Sequence, residues 1–447
     1  MVLVLTLLFQ AQIGDYLGTL QVNPSTSLRL GLHILKDDEG EWKGTVDSLD
    51  QGARGLPVQL TIEGQSIKFG STIGMSYEGA LSDSGIAGFF SQNGMKLPLN
   101  FKKVDKIEEA KRPQTPKRPF PYSEEEVVVR SGKIKLGGTL SIPKGEGPHP
   151  AVIFLTGSGA QDRDETLFEH KPFLVISDHL VKQGFATLRL DDRGVGKSDG
   201  ILAYSTIEDL AGDGVAALDF LKTRKEINSK RIGFLGHSEG AITGPLAAVR
   251  TGEAAFVIML AGTGVPGDEV LLEQGQAALK AAGAPPETLA FQAKFHKTFL
   301  PLVKAEKDNA VLARKIREAW DKLKSEDPAA AAADKMISPQ LQMFLAPSMQ
   351  SMIRHDPRPV LSQLNCPVLV LNGTLDLQVS AEQNLPAIGQ ALAKAKHADY
   401  TIVSLRHLNH LFQTAKTGAI GEYGQIEETI ATQVLELVVT WLQSKKN

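Results

Sequence analysis

The segment RIGFLGHSEGA, residues 231–241, decides the fold. Its first half, Arg231 to Leu235, is typical of a buried strand, and the residues from about Ala241 to Val249 are typical of a helix. Between them stands a G-x-S-x-G turn, in which small residues at positions 236 and 240 let a sharp strand-to-helix connection close. Such a turn raises Ser238 above the sheet edge and leaves the first N–H groups of the helix free to stabilise negative charge. Ser238 is therefore the candidate nucleophile.

From Glu124 onward, short apolar runs alternate with helical stretches such as Phe173 to Gln183 and Ile207 to Leu221. This alternation predicts an α/β fold, with a mostly parallel central sheet covered by helices on both faces. The alternation is interrupted between Leu260 and Pro367, which predicts a helical insertion over the carboxyl edge of the sheet. The predicted strands are Val127 to Arg130, Leu136 to Ile142, Ala151 to Thr156, Phe185 to Leu190, Arg231 to Leu235, Ala255 to Leu260, Pro367 to Leu371 and Tyr400 to Leu405.

The first hundred residues have a different pattern. Residues 14–104 consist of short β-like runs separated by turns rich in Gly, Asp and Ser, which predicts a small antiparallel β domain, either an open sheet or a barrel. Residues 111–121 read KRPQTPKRPFP, a proline density that favours an extended linker. The predicted domains are an N-terminal β domain (1–110), a Pro-rich linker (111–123), an α/β catalytic domain (124–262 and 361–447) and a helical cap or lid (263–360).

Residues downstream of Ser238 supply an acid and then a base, the chain order that this turn requires. Asp376 lies in NGTLDLQV, residues 372–379, just after a predicted strand, and His410 follows the next strand. Because loops at the carboxyl ends of neighbouring parallel strands converge, we expect both side chains to meet Ser238. His407 is the rival base, and we favour His410 because His407 directly ends its strand.

An oxyanion hole needs two backbone N–H donors beside the nucleophile. One is expected to be the N–H of Glu239, the residue after the nucleophile. The other is expected to be the N–H of Ser158, with Gly159 as the alternative, in the loop that follows the strand ending at Thr156. The carboxylate of Glu239 is interpreted either as a general acid or as a helix-start acid favoured by the helix dipole. The charged run Gln161 to Glu165 is either a solvated loop or part of the pocket rim.

Composition excludes several classes of function. The chain has 447 residues, with 48 Lys and Arg against 51 Asp and Glu, and this balance disfavours nucleic-acid binding. Its single cysteine, Cys366, excludes an intrachain disulfide, and no Cys/His spacing indicates a metal. The stretch Asp191 to Ser198 ends in GKS but lacks the first glycine of a phosphate loop, so we expect no nucleotide. A serine hydrolase mechanism at Ser238 implies no metal or organic cofactor. Asp192 and Arg193 are expected to form an ion pair beneath the site.

The first nine residues, Met1 to Phe9, are almost wholly apolar. They are interpreted either as a trimmed export signal or as a first β-strand. The export signal is slightly favoured, which indicates a secreted or periplasmic protein, with a cytoplasmic location as the alternative. No stretch is long enough for a membrane-spanning helix, so no integral membrane segment is expected.

The chain resembles the bacterial α/β-hydrolase-fold serine esterases of the dipeptidyl aminopeptidase/acylaminoacyl-peptidase-like group. The resemblance implies Ser238 as nucleophile, Asp376 as acid, His410 as base, and an oxyanion hole at Gly157 to Gly159. It departs from many such hydrolases in having TGSG where they have an HG motif, which bears on the second oxyanion donor. The residues that carry the resemblance are LTGSGAQDRDE (155–165), DDRGVGKSDG (191–200), GHSEGA (236–241), NGTLDLQV (372–379) and LNHLFQ (408–413).

Members of this group are mostly carboxylesterases that act on short acyl chains. The resemblance therefore implies a serine carboxylic ester hydrolase for short- to medium-chain esters, working through an acyl-enzyme. Two alternatives stay open: a serine peptidase or acyl-peptide hydrolase with the same triad, and a non-catalytic binding protein on a hydrolase scaffold. The expected partner is a small ester substrate, and a homodimer through the β domain or the cap is a further possibility.

Overall fold

A computed structural model describes residues 13–445 except 24, 25, 73, 83, 93 and 109, so the export-signal interpretation of the first residues lies outside the described part. The chain divides into two compact units. The first, here called the barrel unit, contains the described residues up to Arg112 together with Leu167–Glu169 and Ile420–Glu427. The second, the sheet unit, contains Pro113–Thr166, His170–Ala419 and the described residues from Glu428 onward.

The barrel unit is built on a closed antiparallel barrel in which each strand pairs with the next and the last returns to the first. Its interior is filled by alternate side chains of the strands. Tyr16, Phe69 and Tyr77 are almost fully buried there, and the Tyr77 hydroxyl donates a hydrogen bond of 2.9 Å to the Leu99 carbonyl. These aromatic residues therefore form a packed core. The strands are β1 Gly14–Asn23, β2 Thr26–Lys36, β3 Trp42–Ser48, β4 Ala53–Glu63, β5 Ser66–Gly70, β6 Met75–Ser82, β7 Gly85–Gln92 and β8 Met95–Val104.

Two later segments of the chain complete the barrel unit. Arg54 Nε donates to Glu169 Oε1 at 2.6 Å. Arg112 donates to the carbonyls of Phe168 and Gly424 at 2.8 Å each and to that of Ile426 at 3.1 Å. The barrel unit is therefore discontinuous in sequence, and charged side chains bond its separate pieces together.

The sheet unit contains an eight-stranded sheet in the order β16-β15-β14-β13-β11-β12-β10-β9. Strands β11 to β16 run parallel, and β10 and β9 complete one edge as antiparallel strands. The strands are β9 Ser123–Ser131, β10 Ile134–Ile142, β11 His149–Leu155, β12 Ala186–Leu190, β13 Ile227–His237, β14 Val257–Leu260, β15 Val368–Gly373 and β16 Tyr400–Leu405.

Helices cover both faces of this sheet. Along β11, Ala151 and Ile153 join one buried cluster and Val152 and Phe154 join another, because successive strand residues point to opposite faces. In the described part of the chain, no helix is both long and apolar enough to cross a membrane. Helix α12 belongs to the barrel unit and the other helices to the sheet unit. The helices are α1 Pro172–Lys182, α2 Ile207–Lys222, α3 Gly240–Thr251, α4 Gly267–Ala281, α5 Pro286–Ala305, α6 Asn309–Glu326, α7 Pro328–Ala332, α8 Asp334–Leu341, α9 Pro347–Arg354, α10 Arg358–Leu361, α11 Ala381–Lys394, α12 Ile420–Tyr423 and α13 Thr432–Ser444.

The first cluster takes up buried residues of α2, α3 and α11, and the second takes up those of α1 and α13. Helices α4 to α10 fill the interval between β14 and β15. Helices α5 to α9 share a core of their own, in which Phe299 contacts both Trp320 and Phe344. The predicted fold class is confirmed: a mostly parallel sheet with helices on both faces, a helical insertion and an N-terminal antiparallel β unit.

Candidate active site

Ser238 occupies a tight turn between β13 and α3. Its φ is 53°, in the left-handed region that a serine rarely adopts, and its N–H donates to the Leu260 carbonyl at 2.8 Å. The turn closes only because its flanking residues lack side chains. A Cβ on Gly236 would lie 1.9 Å from the Gly240 carbonyl oxygen, and one on Gly240 would lie 1.9 Å from the Leu155 carbonyl oxygen.

Asp376 and His410 form a buried pair at the ends of the neighbouring strands β15 and β16. Nδ1 of His410 lies 2.8 Å from Oδ2 of Asp376, and the other carboxylate oxygen accepts the N–H groups of Gln378 and Val379, each at 2.8 Å. Each residue is only 4% exposed. The carboxylate is thereby fixed in place, and it holds the proton of His410 on Nδ1, which leaves Nε2 as the basic nitrogen. The rival base, His407, is exposed in the turn after β16.

The ring of His410 lies beside the residue that precedes Ser238. The centroids of the His237 and His410 rings are 4.8 Å apart, and Nε2 of His237 lies 2.9 Å from the His410 carbonyl oxygen. Within the described residues, the Ser238 hydroxyl forms no hydrogen bond, either to His410 or to any other group. The structure thus brings Asp376 and His410 together and places them at the same sheet edge as the Ser238 turn.

The expected oxyanion donors line the same cavity as Ser238. Ser158, Gly159 and Glu239 all contribute to its wall. In the described part of the chain, the N–H groups of these three residues have no hydrogen-bond partner. The N–H of Gly157, in contrast, donates to Glu165 at 2.7 Å. Glu239 and one of the pair Ser158 and Gly159 therefore stay as the candidate donors.

Sequence reasoning missed a buried role for Glu165. This residue is 1% exposed, and its Oε1 accepts the Gly157 N–H and lies 2.9 Å from Nδ1 of His237. Glu165 is neither solvated nor part of the wall of the cavity beside Ser238, so both interpretations of the run Gln161 to Glu165 were wrong for this residue. Its place two residues after Arg163, in a charged and otherwise loop-like run, gave no signal of burial. Glu165 thereby holds Gly157, the residue just before the expected oxyanion donors Ser158 and Gly159.

Asp192 holds the same loop at two further points. Its carboxylate accepts the Thr156 hydroxyl at 2.5 Å and the Gln161 N–H at 2.9 Å. Burial, with added repulsion from Glu165 and Glu239, raises the pKa of Asp192 to about 7. The loop from residue 156 to residue 161 is therefore fixed at both ends by one carboxyl group.

The expected ion pair between Asp192 and Arg193 is wrong. Arg193 instead binds Asp213 on α2, with Nε and one terminal nitrogen 2.7 and 2.8 Å from the two carboxylate oxygens. Asp191 makes a similar two-point contact with Arg163. Residues 191–193 follow the end of β12 at Leu190, and each of the three side chains has a different partner.

The cavity beside Ser238 has a volume of about 520 Å³. In the described part of the chain, Glu239 is the only charged residue that lines it, and burial raises the pKa of this carboxyl to about 7. The same part of the chain contains no group of three or more His, Cys, Asp or Glu side chains arranged to hold a metal ion. The lining includes Leu202, Ala203, Leu210, Ile242, Val270, Leu271, Met343, Met349, Met352 and Val379.

Comparison with known protein families identifies the family of this chain. The model of the family described as serine aminopeptidase, S33, matches residues 171–414, more than half of the chain. The chain belongs to the S33 serine aminopeptidase family. This match also confirms the resemblance to α/β-hydrolases, and the matched range includes Ser238, Asp376 and His410.

Two relatives align with part of the chain. The esterase EstD of Thermotoga maritima is 32% identical over 228 residues, which is 51% of this chain and 52% of EstD. The putative hydrolase YtaP of Bacillus subtilis is 30% identical over 141 residues, 26% of this chain and 47% of YtaP. The chain thus spans about half the length of the curated relatives it matches.

The solved structures to which the chain is similar are more distant in sequence. The alpha/beta hydrolase GrgF from Penicillium is 18% identical, with a TM-score of 0.45 over 73% of this chain and 99% of GrgF. Est1E from Butyrivibrio proteoclasticus is 15% identical, with a TM-score of 0.42 over 72% of this chain and 98% of Est1E.

Proposed function

We propose that the protein is a serine carboxylic ester hydrolase that acts on short- to medium-chain acyl esters through an acyl-enzyme. The observation that carries the proposal is the strained turn at Ser238, φ 53°, which opens onto a cavity at the sheet edge where His410 and Asp376 are paired at 2.8 Å. A serine hydroxyl is a poor nucleophile at neutral pH unless a base and an orienting acid activate it. The esterase EstD, a relative by sequence, supports an ester as the substrate.

In the first half of the reaction, Ser238 Oγ attacks the ester carbonyl carbon while Nε2 of His410 takes its proton. The carbonyl oxygen becomes an oxyanion, which accepts hydrogen bonds from the N–H of Glu239 and from the N–H of Ser158 or Gly159. Collapse of this intermediate breaks the bond to the alcohol oxygen, and the proton on His410 passes to the departing alcohol. The products of this half are a free alcohol and an acylated Ser238.

In the second half, water takes the place of the alcohol. His410 removes a proton from water as its oxygen attacks the acyl carbon, and the same two N–H donors bind the second oxyanion. The bond between the acyl carbon and Ser238 Oγ then breaks, and His410 returns the proton to the serine. The acid leaves, and no redox partner is consumed.

Asp376 stabilises His410 in both halves of the reaction and does not itself gain or lose a proton. Its carboxylate is acceptor to two backbone N–H groups as well as to His410, so it stays fixed while the imidazole gains and loses a proton. A positive charge on His410 during each proton transfer is stabilised by this buried negative charge.

The cavity supports a limit on acyl size. About 520 Å³ lies within the usual range of roughly 300–1,000 Å³ for small-molecule sites. Its apolar wall includes Val270 and Leu271 of α4 and Met349 and Met352 of α9, so the cap helices shape the acyl pocket. Methionine side chains adapt easily to different apolar ligands, which favours a range of chain lengths over one fixed length.

The test is hydrolysis of p-nitrophenyl esters of graded acyl length by the wild type and by Ser238→Ala. We expect kcat of the variant to fall by roughly 10⁴-fold or more, because the covalent step is lost. Ser362→Ala, which removes an exposed serine far along the chain, is the matched control and should retain wild-type turnover. Near-normal turnover by a folded Ser238→Ala protein would refute the proposal.

Two further measurements separate the alternatives. The family description names an aminopeptidase, so aminoacyl p-nitroanilides should be compared with the esters, and faster hydrolysis of the anilides would favour a peptidase. A fluorophosphonate probe should label the wild type but not Ser238→Ala. Absence of labelling in the wild type would favour a non-catalytic binding protein.

A further inference from the structure

The buried carboxyl groups of the site are paired, with one exception. Glu165 accepts the Gly157 N–H, Asp192 accepts a hydroxyl and an N–H, and Asp376 accepts two N–H groups and binds His410. Glu239 is only 9% exposed, and its side chain has no hydrogen bond or ion pair within the described residues. It directly precedes α3 but makes no side-chain cap to that helix. An ionised carboxylate in a largely apolar wall is unfavourable, so a cation bound in the cavity would be a favourable partner for this group.

The position of Glu239 identifies where such a partner would lie. The residue lines the cavity beside Ser238, and the wall around it is largely apolar. Arg193, which lines a smaller cavity together with Glu239, is already bound to Asp213, and His237 contacts Glu165. Among the described lining residues no lysine, arginine or histidine offsets the charge of Glu239. The cavity therefore has the chemistry of a receptor for an apolar molecule that carries one positive charge.

We propose that the carboxylate of Glu239 is a cation subsite that binds a protonated amine of the substrate, close to the scissile carbonyl. Glu239 directly follows the proposed nucleophile and both residues line the same cavity, so an amine bound at Glu239 would lie in the same cavity as the carbonyl carbon that Ser238 attacks. An aminoacyl ester with an apolar side chain has this arrangement. Burial raises the pKa of Glu239 to about 7, and a bound ammonium group would hold the carboxyl ionised. The inference rests on the proposed function for the position of the amine relative to the scissile bond.

The test compares two p-nitrophenyl esters that differ only in the amine: the leucyl ester and the 4-methylpentanoyl ester. The ratio of their kcat/KM values is measured for the wild type, Glu239→Gln, Glu239→Asp and Glu273→Gln. Comparing ratios between proteins cancels the different intrinsic reactivities of the two esters. Glu273 is an exposed glutamate of α4 that does not line the cavity, so its variant removes the same charge elsewhere.

We expect Glu239→Gln to lower the preference for the leucyl ester at least about tenfold, the usual cost of removing one partner of a buried charge pair. Glu239→Asp, which keeps the charge, should retain more of the preference than Glu239→Gln, and Glu273→Gln should retain the wild-type ratio. A ratio in Glu239→Gln within twofold of the wild type would overturn the subsite. So would an equal loss in Glu273→Gln.

A binding measurement separates failure of the subsite from failure of the proposed function. In a Ser238→Ala background, calorimetry should show leucinamide binding more tightly than 4-methylpentanamide, and the further change Glu239→Gln should remove that difference. If the wild type hydrolyses neither ester but leucinamide shows this dependence, the esterase proposal fails and the cation subsite stands. If both esters are hydrolysed but the two amides bind equally, the subsite fails and the esterase proposal stands.

Discussion

Replacing Glu239 with glutamine should stabilise the fold by an amount that grows with pH. Burial raises the pKa of this carboxyl from 4.5 to about 7. Between these two values the folded protein retains a proton that the unfolded chain has released, so the free energy of unfolding falls as pH rises. Glutamine resembles the protonated acid in size and charge but cannot ionise. The unfolding free energy of Glu239→Gln should therefore not fall between pH 4.5 and pH 7 on account of this side chain.

The size of the effect follows from the two pKa values. Linkage gives a gain for Glu239→Gln of about 1 kcal/mol at pH 5 and about 3 kcal/mol at pH 8, with little change above that pH. Because Glu239 precedes α3, the dipole of this helix favours the ionised form by roughly 0.3–1 kcal/mol, which lowers the upper figure toward about 2 kcal/mol.

Other charged groups around Glu239 change this pattern little. Asp192 faces it and is the main neighbour that titrates in the same range, and the two carboxyls repel each other. Removing Glu239 should therefore relieve Asp192 as well, which adds to the gain in the same direction. Arg193 is engaged with Asp213 and His237 with Glu165, so neither side chain offers Glu239 a compensating charge.

The assay is urea unfolding of the wild type and Glu239→Gln at pH 5, 6, 7 and 8, followed by tryptophan fluorescence and by circular dichroism. Glu273→Gln is the matched control and should differ from the wild type by less than about 0.5 kcal/mol at each pH. The reasoning is refuted if the difference between Glu239→Gln and the wild type is the same at pH 5 and pH 8. It is also refuted if the variant is less stable at pH 8.

Three other substitutions test the site and its supports. Asp376→Asn should lower kcat for p-nitrophenyl esters by roughly 10⁴-fold, because the amide orients the wrong His410 tautomer, and a loss below tenfold would contradict this. Asp192→Ala should lower kcat about 10- to 100-fold with a smaller change in KM, because the loop from residue 156 to residue 161 loses two hydrogen bonds to this carboxylate. An effect confined to KM would argue against a positioning role for Asp192. Gly240→Ala should lower the free energy of unfolding by about 3 kcal/mol in the same urea assay, because its Cβ would lie 1.9 Å from the Leu155 carbonyl oxygen. Gly212→Ala on α2 is the control: a Cβ there meets nothing within 4 Å, so this variant should be neutral or stabilising.

The sequence predicted the architecture of the sheet unit well, because its strands are apolar runs that end at recognisable turns. Its errors lie at strand ends. Strand β13 starts at Ile227, before the predicted start at Arg231, because the polar residues between them do not look like a buried strand. They still extend the strand, since hydrogen bonding along a ladder does not depend on side-chain polarity.

The supports of the site could not be predicted in the same way. Glu165 comes from a charged run typical of a surface loop, and its burial depends on packing against His237, which is distant in sequence. The partner of Arg193 depends on the position of α2, which no local pattern specifies. The pairing of Asp376 with His410 was predictable because chain order and strand position constrain it, whereas their joint action on Ser238 stays a prediction.

The barrel unit cannot be cut out of the protein at the proline-rich stretch without damage. Arg112 would lose three of the carbonyls that it binds, and Arg54 would keep Asp47 but lose Glu169, because the lost partners come from much later in the chain. A gene fragment that ends near residue 112 would therefore encode eight strands but deprive two arginine side chains of most or part of their acceptors. Anyone wishing to study the barrel alone would have to redesign these two positions or supply the missing peptides in trans.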